Sequence, residues 1–243
     1  MEVDEYARIA AAEDEHWWYR NTRALVAELL APWLPQARTI LDAGCGPGGN
    51  GAWLAQHGDV VGVDVSPDAL AFVRARRPEV RPVRASLSAL PFPDHSFDVV
   101  LGITVLYTVT DDERAFAEMA RVLRPGGALL VLEPAFEVLR REHDVTVHGR
   151  RRYRRAELAD YARRHGLTVR RATYAYSFLA PPAAVLGGIE RLRRRAPSAT
   201  TGSDVERHAL DRVFAPLANT ERRVLARHDV PVGTSVIMLA STT

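Results

Sequence analysis

The chain has 243 residues, of which 47% are hydrophobic and 26% are charged, a balance typical of a globular protein with a substantial core. All 32 basic residues are arginine, yet the net charge is only +2, so bulk electrostatic binding to nucleic acid is not indicated. The single cysteine, Cys45, excludes an intrachain disulfide. The acidic amino terminus is unlike a signal peptide, and no run of about 18 apolar residues occurs. We therefore expect a cytoplasmic protein without a membrane span.

The first part of the chain has helical periodicity. Helices are predicted over residues 2–13 and 20–31, with the aromatic run 16–19 as a break between them. We expect residues 1–35 to form a helical lid.

After residue 36 the pattern changes to short apolar strands that alternate with helices. Such alternation, with strands that are apolar almost throughout, predicts a parallel sheet covered on both faces. The predicted strands are 38–43, 59–65, 81–85, 97–103 and a fifth that ends at Glu133, and the predicted helices are 48–57, 66–76 and 111–123.

The chain after residue 134 is less regular. We expect one domain in all, with a cofactor-binding core at 36–134, acceptor-side and helical additions at 135–230, and a last strand within 231–241. In the additions we predict a loop at 135–150, a helix at 155–165, a strand at 167–176, a helix at 183–195, a polar gap at 196–203 and a long helix at 204–227.

The central motif is the glycine-rich turn of residues 44–49, which follows a predicted strand and precedes a predicted helix. Because glycine lacks a Cβ, the backbone can turn tightly there and approach a ligand closely. Asp64 ends the next strand, twenty residues after Gly44. An acidic side chain at that position can accept hydrogen bonds from ribose hydroxyls. The motif therefore predicts a ligand that contains a nucleoside.

Asp42 bears on which ligand this is, because it lies two residues before Gly44 at the end of the strand. A carboxylate there would repel the diphosphate of a nicotinamide dinucleotide, but it can meet the cationic amino group of a methionine moiety. Asp42 therefore favours S-adenosylmethionine over NAD.

Four segments carry a resemblance to a known family. LDAGCGPGGN at 41–50 and VVGVDVSPDAL at 60–70 resemble the first motif and the acidic second-strand loop of class I S-adenosylmethionine-dependent methyltransferases. LPFPDHSFDVVLG at 90–102 and RVLRPGGALLVLEP at 121–134 are similar to the segments around that family's fourth and fifth strands. The resemblance implies a Rossmann-like α/β fold. Its sheet would have seven strands, mostly parallel with an antiparallel last strand, extra N-terminal helices and a helical insertion after strand five.

The resemblance implies S-adenosylmethionine as cofactor and S-adenosylhomocysteine as its product. Asp42 and the glycines would surround the methionine half, Asp64 would hold the ribose, and Val65 would pack against the adenine. Where the family commonly has an aspartate this chain has Ser86, so its hydroxyl and the Leu87 N–H are expected to serve the adenine. The full predicted cofactor set is Tyr19, Arg23, Asp42, Gly44, Cys45, Gly46, Gly48, Asp64, Val65, Ser86, Leu87, Gly102 and Ile103.

The aromatic run is a candidate wall of the acceptor site. His16, Trp17 and Trp18 either pack in the core or, with Tyr19, resemble the Trp-Trp-Tyr-Arg segment of related small-molecule methyltransferases, where they would exclude water. Tyr176 has the same two interpretations, as pocket wall or as core.

The basic segment at 140–155 is the other candidate acceptor region. His143 or His148 can act as general base, and Arg151 and Arg152, beside Tyr153, can clamp an anionic acceptor. A solvated basic loop is an equal alternative. Tyr107 stands where many family members have a glutamate, so no family role transfers to it, and it is kept as a catalytic candidate. No metal site is expected.

Three functions remain open on the sequence. The leading one is methyl transfer to a small molecule, such as a specialised metabolite or an anionic or lipid-linked compound, with no nucleic acid as partner. The alternatives are an RNA or other nucleic-acid methyltransferase that uses the arginine clusters, and a binding module that has lost turnover. The oligomeric state is open.

Overall fold

The computed structural model describes residues 3–193 and 211–243, apart from the side chains of residues 3–4, 142–143 and 190–193. The predicted polar gap at 196–203 and the first part of the predicted helix at 204–227 lie outside the described residues.

One sheet forms the centre of the described chain. Its strands are β1 Thr39–Ala43, β2 Asp59–Asp64, β3 Val80–Arg84, β4 Phe97–Ile103, β5 Leu123–Pro134, β6 Thr168–Ala175 and β7 Ser235–Ser241. The order across the sheet is β3-β2-β1-β4-β5-β7-β6. β7 is antiparallel to both of its neighbours, and the pairs from β3 to β5 are parallel. The predicted seven-stranded Rossmann-like fold with an antiparallel last strand is confirmed.

Helices cover both faces of this sheet. They are α1 Val3–Ala12, α2 Trp17–Leu30, α3 Gly49–Leu54, α4 Pro67–Arg76, α5 Asp112–Arg121, α6 Glu142–Thr146, α7 Arg155–Arg164, α8 Ala180–Arg193 and α9 Asp211–Leu225. Within the described ranges, no helix is both long enough and apolar enough to cross a bilayer.

Two local expectations were wrong. The second helix was predicted to begin at residue 20, after the aromatic run, but α2 begins at Trp17 and includes three of the four aromatic residues. His16 caps this helix by accepting a hydrogen bond from the Trp18 N–H at 3.3 Å. The predicted loop at 135–150 contains the short helix α6, whose start is closed by a hydrogen bond from the Arg141 N–H to the Asp144 carboxylate at 2.8 Å.

The topology places a crevice between β1 and β4. From β1 the chain moves outward through β2 to β3 and then returns to β4 on the other side of β1, so the direction of winding reverses there. Ligands in open α/β sheets bind at the carboxyl ends of the strands beside such a reversal. The consecutive β1 residues Ile40 and Leu41 are fully buried in hydrophobic clusters on opposite faces of the sheet. β1 is therefore packed on both faces just before the crevice.

Candidate active site

The glycine-rich turn lies at the carboxyl end of β1, and Gly44, Gly46 and Gly48 all have positive φ values of +77°, +51° and +96°. A Cβ at Gly44 would lie 2.1 Å from Cγ2 of Val105, which follows β4, whereas a Cβ at Gly46 would have no atom within 4 Å. The backbone of the turn therefore packs against the β4 loop at Gly44 and faces open space at Gly46.

Asp42 places a carboxyl group beneath this turn without the partners that a buried charge normally needs. The residue is 1% exposed, and its Oδ2 has no hydrogen-bond partner among the described residues. Burial, with smaller contributions from the nearby carboxylates of Glu13 and Asp64, raises the pKa of Asp42 to about 7, against a lowering by the Gly51 backbone. A buried carboxylate in this condition is a ready partner for a cation.

Asp64 connects the β1 turn with the β2 turn. Its Oδ2 accepts a hydrogen bond from the Gly46 N–H at 3.0 Å, and its Oδ1 accepts one from the Ser66 N–H at 2.9 Å. Burial raises the pKa of Asp64, and these N–H groups lower it. Each carboxylate oxygen still has an acceptor position for a hydroxyl group. The adjacent Val65 side chain is 66% exposed.

The other predicted cofactor residues around β1 to β4 have packing roles as well. Cys45 is buried, and burial raises the pKa of its thiol. Its sulfur packs against Gly62, where a Cβ would lie only 2.9 Å away. Gly102 makes room for Met119, since a Cβ there would be 2.8 Å from the methionine Cε. Ile103 and Leu87 are buried too, and the exposed Ser86 hydroxyl accepts a hydrogen bond from the Ser88 N–H at 3.2 Å.

The N-terminal helices reach the turn directly. Arg23 of α2 donates through Nη1 to the Gly49 carbonyl at 3.1 Å and through Nη2 to the Glu13 carbonyl. Glu13 itself accepts the Gly49 N–H at 3.1 Å. Tyr19 lies one turn before Arg23, and burial raises the pKa of its hydroxyl well above the usual range. Sequence reasoning missed Glu13, because nothing local separates it from its acidic neighbours Asp14 and Glu15.

Most of the aromatic run packs inside the protein. Trp17 makes an edge-to-face contact with Tyr176, at 5.8 Å between ring centroids, and also packs against Phe214 of α9. The Tyr176 hydroxyl is 2.6 Å from the Thr22 hydroxyl in a buried hydrogen bond. His16 is buried with its Nε2 3.7 Å from Asp211, whereas Trp18 is only partly buried and stacks edge-on against Tyr19 at 5.0 Å. This packing favours the core interpretation for Trp17 and Tyr176.

Glu133, at the end of β5, orders the loop after β4 and was also missed as a site residue. It is fully buried and accepts N–H hydrogen bonds from Val105 (3.1 Å), Leu106 (2.9 Å) and Tyr107 (3.2 Å). Burial raises the pKa of Glu133 to about 8, while these three bonds favour its ionised form. The only advance signal was an acidic residue at the end of an otherwise apolar strand.

The three catalytic candidates are placed differently. Tyr107 is 8% exposed, and burial raises the pKa of its hydroxyl well above the usual range, so it stays protonated as a hydrogen-bond donor. His148 is exposed and has a positive φ of +60°. His143 lies in α6, but its side chain is outside the described residues.

The predicted arginine clamp is paired within the protein. Arg152 forms a bidentate ion pair with the buried Asp144, at 3.1 and 2.9 Å. Arg151 donates to Glu157 at 2.5 Å and to Asp112 at 3.4 Å. The fully buried Tyr153 donates to the same Asp112 at 2.5 Å. These contacts favour a structural role for the three predicted acceptor residues.

Comparison with known proteins identifies the central part of the chain. Residues 41–131 match the family model of the methyltransferase domain. A probable S-adenosylmethionine-dependent methyltransferase of Mycobacterium tuberculosis is 40% identical over 121 residues, 49% of this chain and 43% of the relative. A demethylmenaquinone methyltransferase of Renibacterium salmoninarum is 38% identical over 115 residues, 47% of this chain and 48% of the relative. The matched region thus spans less than half of each relative.

Solved structures support the fold over nearly the whole chain. A methyltransferase of Haloferax volcanii, solved in complex with the Trm112 methyltransferase activator, has a TM-score of 0.62 at 22% identity and covers 98% of this chain and 94% of its own. The 4+2 cyclase SpnF has a TM-score of 0.56 at 21% identity, with 89% and 80% covered. Since this fold is shared with a cyclase, the activity has to be argued from the site.

Proposed function

We propose that the chain transfers a methyl group from S-adenosylmethionine to a small-molecule acceptor, since residues 41–131 match the methyltransferase-domain family and a relative over this part is a probable S-adenosylmethionine-dependent methyltransferase. The relatives support the reaction class only over their matched part. The activity of the whole protein is therefore argued from its own side chains.

The observation that carries this proposal is the buried Asp42 carboxyl group, of which one oxygen lacks a hydrogen-bond partner among the described residues. Its Oδ2 is buried without a hydrogen-bond partner in the described chain, and Asp64 and Glu13 add further negative charge. S-adenosylmethionine carries two cationic groups, an ammonium and a sulfonium. An ammonium near Asp42 would satisfy the unpaired oxygen and favour the ionised carboxylate. A dinucleotide would bring a diphosphate into the same negative surroundings, at an electrostatic cost.

Other side chains fit the remaining parts of the cofactor. Asp64 has acceptor positions for the ribose hydroxyls, and the exposed Val65 offers an apolar surface for the adenine. Ser86 retains a hydroxyl proton that it can donate to the adenine ring. Open space beside Gly46 leaves room for the adenosyl group against the backbone.

When bound, S-adenosylmethionine supplies an electrophilic methyl group on sulfur, and the protein has to align the acceptor and exclude water. We assign the exclusion of water to Trp18 and Tyr19, which are partly buried beside the turn-binding Arg23. Tyr107 is suited to orient an acceptor oxygen or nitrogen by donating a hydrogen bond. His148 is exposed and can take up the proton that an acceptor releases.

A small and uncharged acceptor fits the charge distribution best. Arg151 and Arg152 are engaged with Glu157, Asp112 and Asp144, so they are poorly available for an anionic group. The same pairing makes these two arginines poorly available for the phosphates of a nucleic-acid substrate as well. One relative is a demethylmenaquinone methyltransferase, and its name favours quinol-like acceptors for a first screen.

Calorimetry with S-adenosylmethionine tests the cofactor assignment, and transfer of a labelled methyl group to a panel of phenols, quinols and amines tests the activity. We expect binding and salt-insensitive transfer to one class of the panel. Transfer to RNA with a steep salt dependence would favour the nucleic-acid alternative. Binding without transfer to any substrate would favour a module that has lost turnover.

A further inference from the structure

The turn between α1 and α2 is held against the glycine-rich turn by a buried carboxylate. Glu13, 4% exposed, accepts the Gly49 N–H through Oε2 at 3.1 Å and pairs with Nη2 of Arg77 through Oε1 at 2.9 Å. One side chain thus joins the N-terminal helices, the start of α3 and the end of α4.

Gly49 is also held through its carbonyl group. Arg23 of α2 donates to the Gly49 carbonyl at 3.1 Å and also to the backbone carbonyl of Glu13. A Cβ at residue 49 would lie 2.4 Å from Cδ of Glu13, so the close approach of this carboxylate requires a glycine. Gly49 is therefore fixed at both its N–H and its C=O by residues of the N-terminal helices.

Arg76, the last residue of α4, and Arg77, which follows it, hold the end of α1 in place. Arg76 donates to the Ala10 carbonyl at 2.7 Å, and Arg77 pairs with Asp14, at 2.8 Å, in addition to Glu13. Simple docking would be served by the half-exposed Asp14. Glu13, by contrast, is buried near Asp42: burial raises the pKa of Glu13, and the Glu13 carboxylate raises the pKa of Asp42. That placement is costly without a ligand and favourable beside a cationic one.

We propose that Glu13 is a positioning residue for cofactor binding, a latch that couples the N-terminal helices to the glycine-rich turn. The latch rests on the proposed function. With the latch closed, Arg23 and Tyr19 are held next to the turn, and Gly49 is fixed where the methionine half of the cofactor has to fit. Loss of the latch lowers the fraction of molecules that can bind the cofactor, and the apparent dissociation constant rises by the inverse of that fraction.

The test compares Glu13→Gln with Asp14→Asn, a neighbouring acid that touches Arg77 but not Gly49. Dissociation constants for S-adenosylhomocysteine and for 5′-methylthioadenosine, which lacks the amino acid part, are measured by calorimetry well below the melting temperature. Hydrogen exchange of residues 5–30 is followed in parallel. Gly49→Ala serves as a second route to the same loss, since it displaces the Glu13 carboxylate and leaves the charge unchanged.

We expect Glu13→Gln and Gly49→Ala to weaken S-adenosylhomocysteine binding about tenfold, to change 5′-methylthioadenosine binding less than about twofold, and to speed exchange in residues 5–30. Asp14→Asn should bind both ligands as the parent does. Tighter S-adenosylhomocysteine binding by Glu13→Gln would mean that the carboxylate competes with the cofactor, and it would overturn the latch. Unchanged binding, or a loss only of thermal stability, would overturn it as well and leave the proposed function standing. A parent protein that binds neither ligand would overturn both.

Discussion

At the turn after β1, the carboxylates of Glu13 and Asp64 lie near the buried Asp42 carboxyl, whose Oδ2 has no hydrogen-bond partner among the described residues. In the segment after β5, by contrast, Arg151 and Arg152 are neutralised by acidic side chains of the same chain. On the sequence, the arginines of the second region were candidates for a clamp on an anionic acceptor, with a solvated basic loop as an equal alternative. In the structure Arg151 and Arg152 are paired within the protein, which favours a structural role for them. Buried charge that lacks an internal partner points to a ligand more strongly than abundant charge does.

The largest effect is expected from Arg152→Ala, which tests the structural side of this comparison. Asp144 is buried and would lose its bidentate partner, so we expect the free energy of unfolding to fall by about 3 kcal/mol, measured in denaturant. Arg150→Ala is the control, because Arg150 is exposed. If Arg152→Ala kept its stability and only raised KM for the acceptor, Arg152 would be a ligand residue after all.

Gly46→Ala probes the ligand side. A Cβ there meets no protein atom, so the fold should lose only about 1 kcal/mol for the left-handed conformation, whereas the methyl group would enter the proposed cofactor space. We expect cofactor affinity to fall at least about 100-fold, or about 2.7 kcal/mol. Gly126→Ala is a matched control, since Gly126 likewise has a positive φ (+77°, against +51° at Gly46) and no atom within 4 Å of a Cβ. Equal cofactor affinities in the two variants would show that the cofactor does not bind beside Gly46.

Glu133→Gln should weaken the hold of β5 on the loop after β4. An amide can keep the N–H bonds from Val105 and Leu106, but its NH₂ would face the Tyr107 N–H without an acceptor. We expect a loss of about 2 kcal/mol in unfolding free energy and a lower kcat, because Tyr107 moves. A variant with parental stability would show that the β4 loop is held by other contacts.

The pKa of Asp42 gives a smaller effect that depends on pH. A cationic ligand binds the ionised carboxylate, so cofactor affinity should rise as pH increases through about 7, by roughly tenfold between pH 6 and pH 8. In the ligand-free protein, stability should fall between about pH 4 and pH 7, because the folded state holds a proton that the unfolded chain has lost. Asp42→Asn should flatten both dependences. Glu13 and Asp64 also lie near this carboxyl. A pH dependence that persists in Asp42→Asn would therefore be assigned to one of them.

The smallest effect is expected for His148→Ala. An exposed histidine can be replaced by water or buffer as proton acceptor, so kcat should fall less than about tenfold, with cofactor affinity unchanged. Rescue by added imidazole would support a role as base. A parental rate would assign proton removal elsewhere.

What could be predicted from the sequence follows from how local each signal is. β4 was predicted with its observed bounds, and Ser66 caps α4 as expected, because apolar runs and capping residues act within a few positions. The turn and Asp42 could be found for the same reason.

Glu13 and Glu133 could not be assigned, since their roles come from partners that are 36 and 26–28 residues away. The pairing of Arg151 and Arg152 is tertiary as well, and only the fold decides which acid each arginine meets. The position of the glycine-rich turn was thus predictable from spacing, whereas the pairing within the basic segment depends on contacts that spacing does not encode.

The central claim is that the Asp42 carboxylate meets the amino group of the cofactor. Calorimetry of the parent and of Asp42→Asn with S-adenosylhomocysteine, and with its analogue lacking the α-amino group, tests it directly. We predict that the substitution weakens binding of S-adenosylhomocysteine about tenfold or more and leaves binding of the analogue nearly unchanged. Equal losses for the two ligands, or no loss for either, would contradict the assignment.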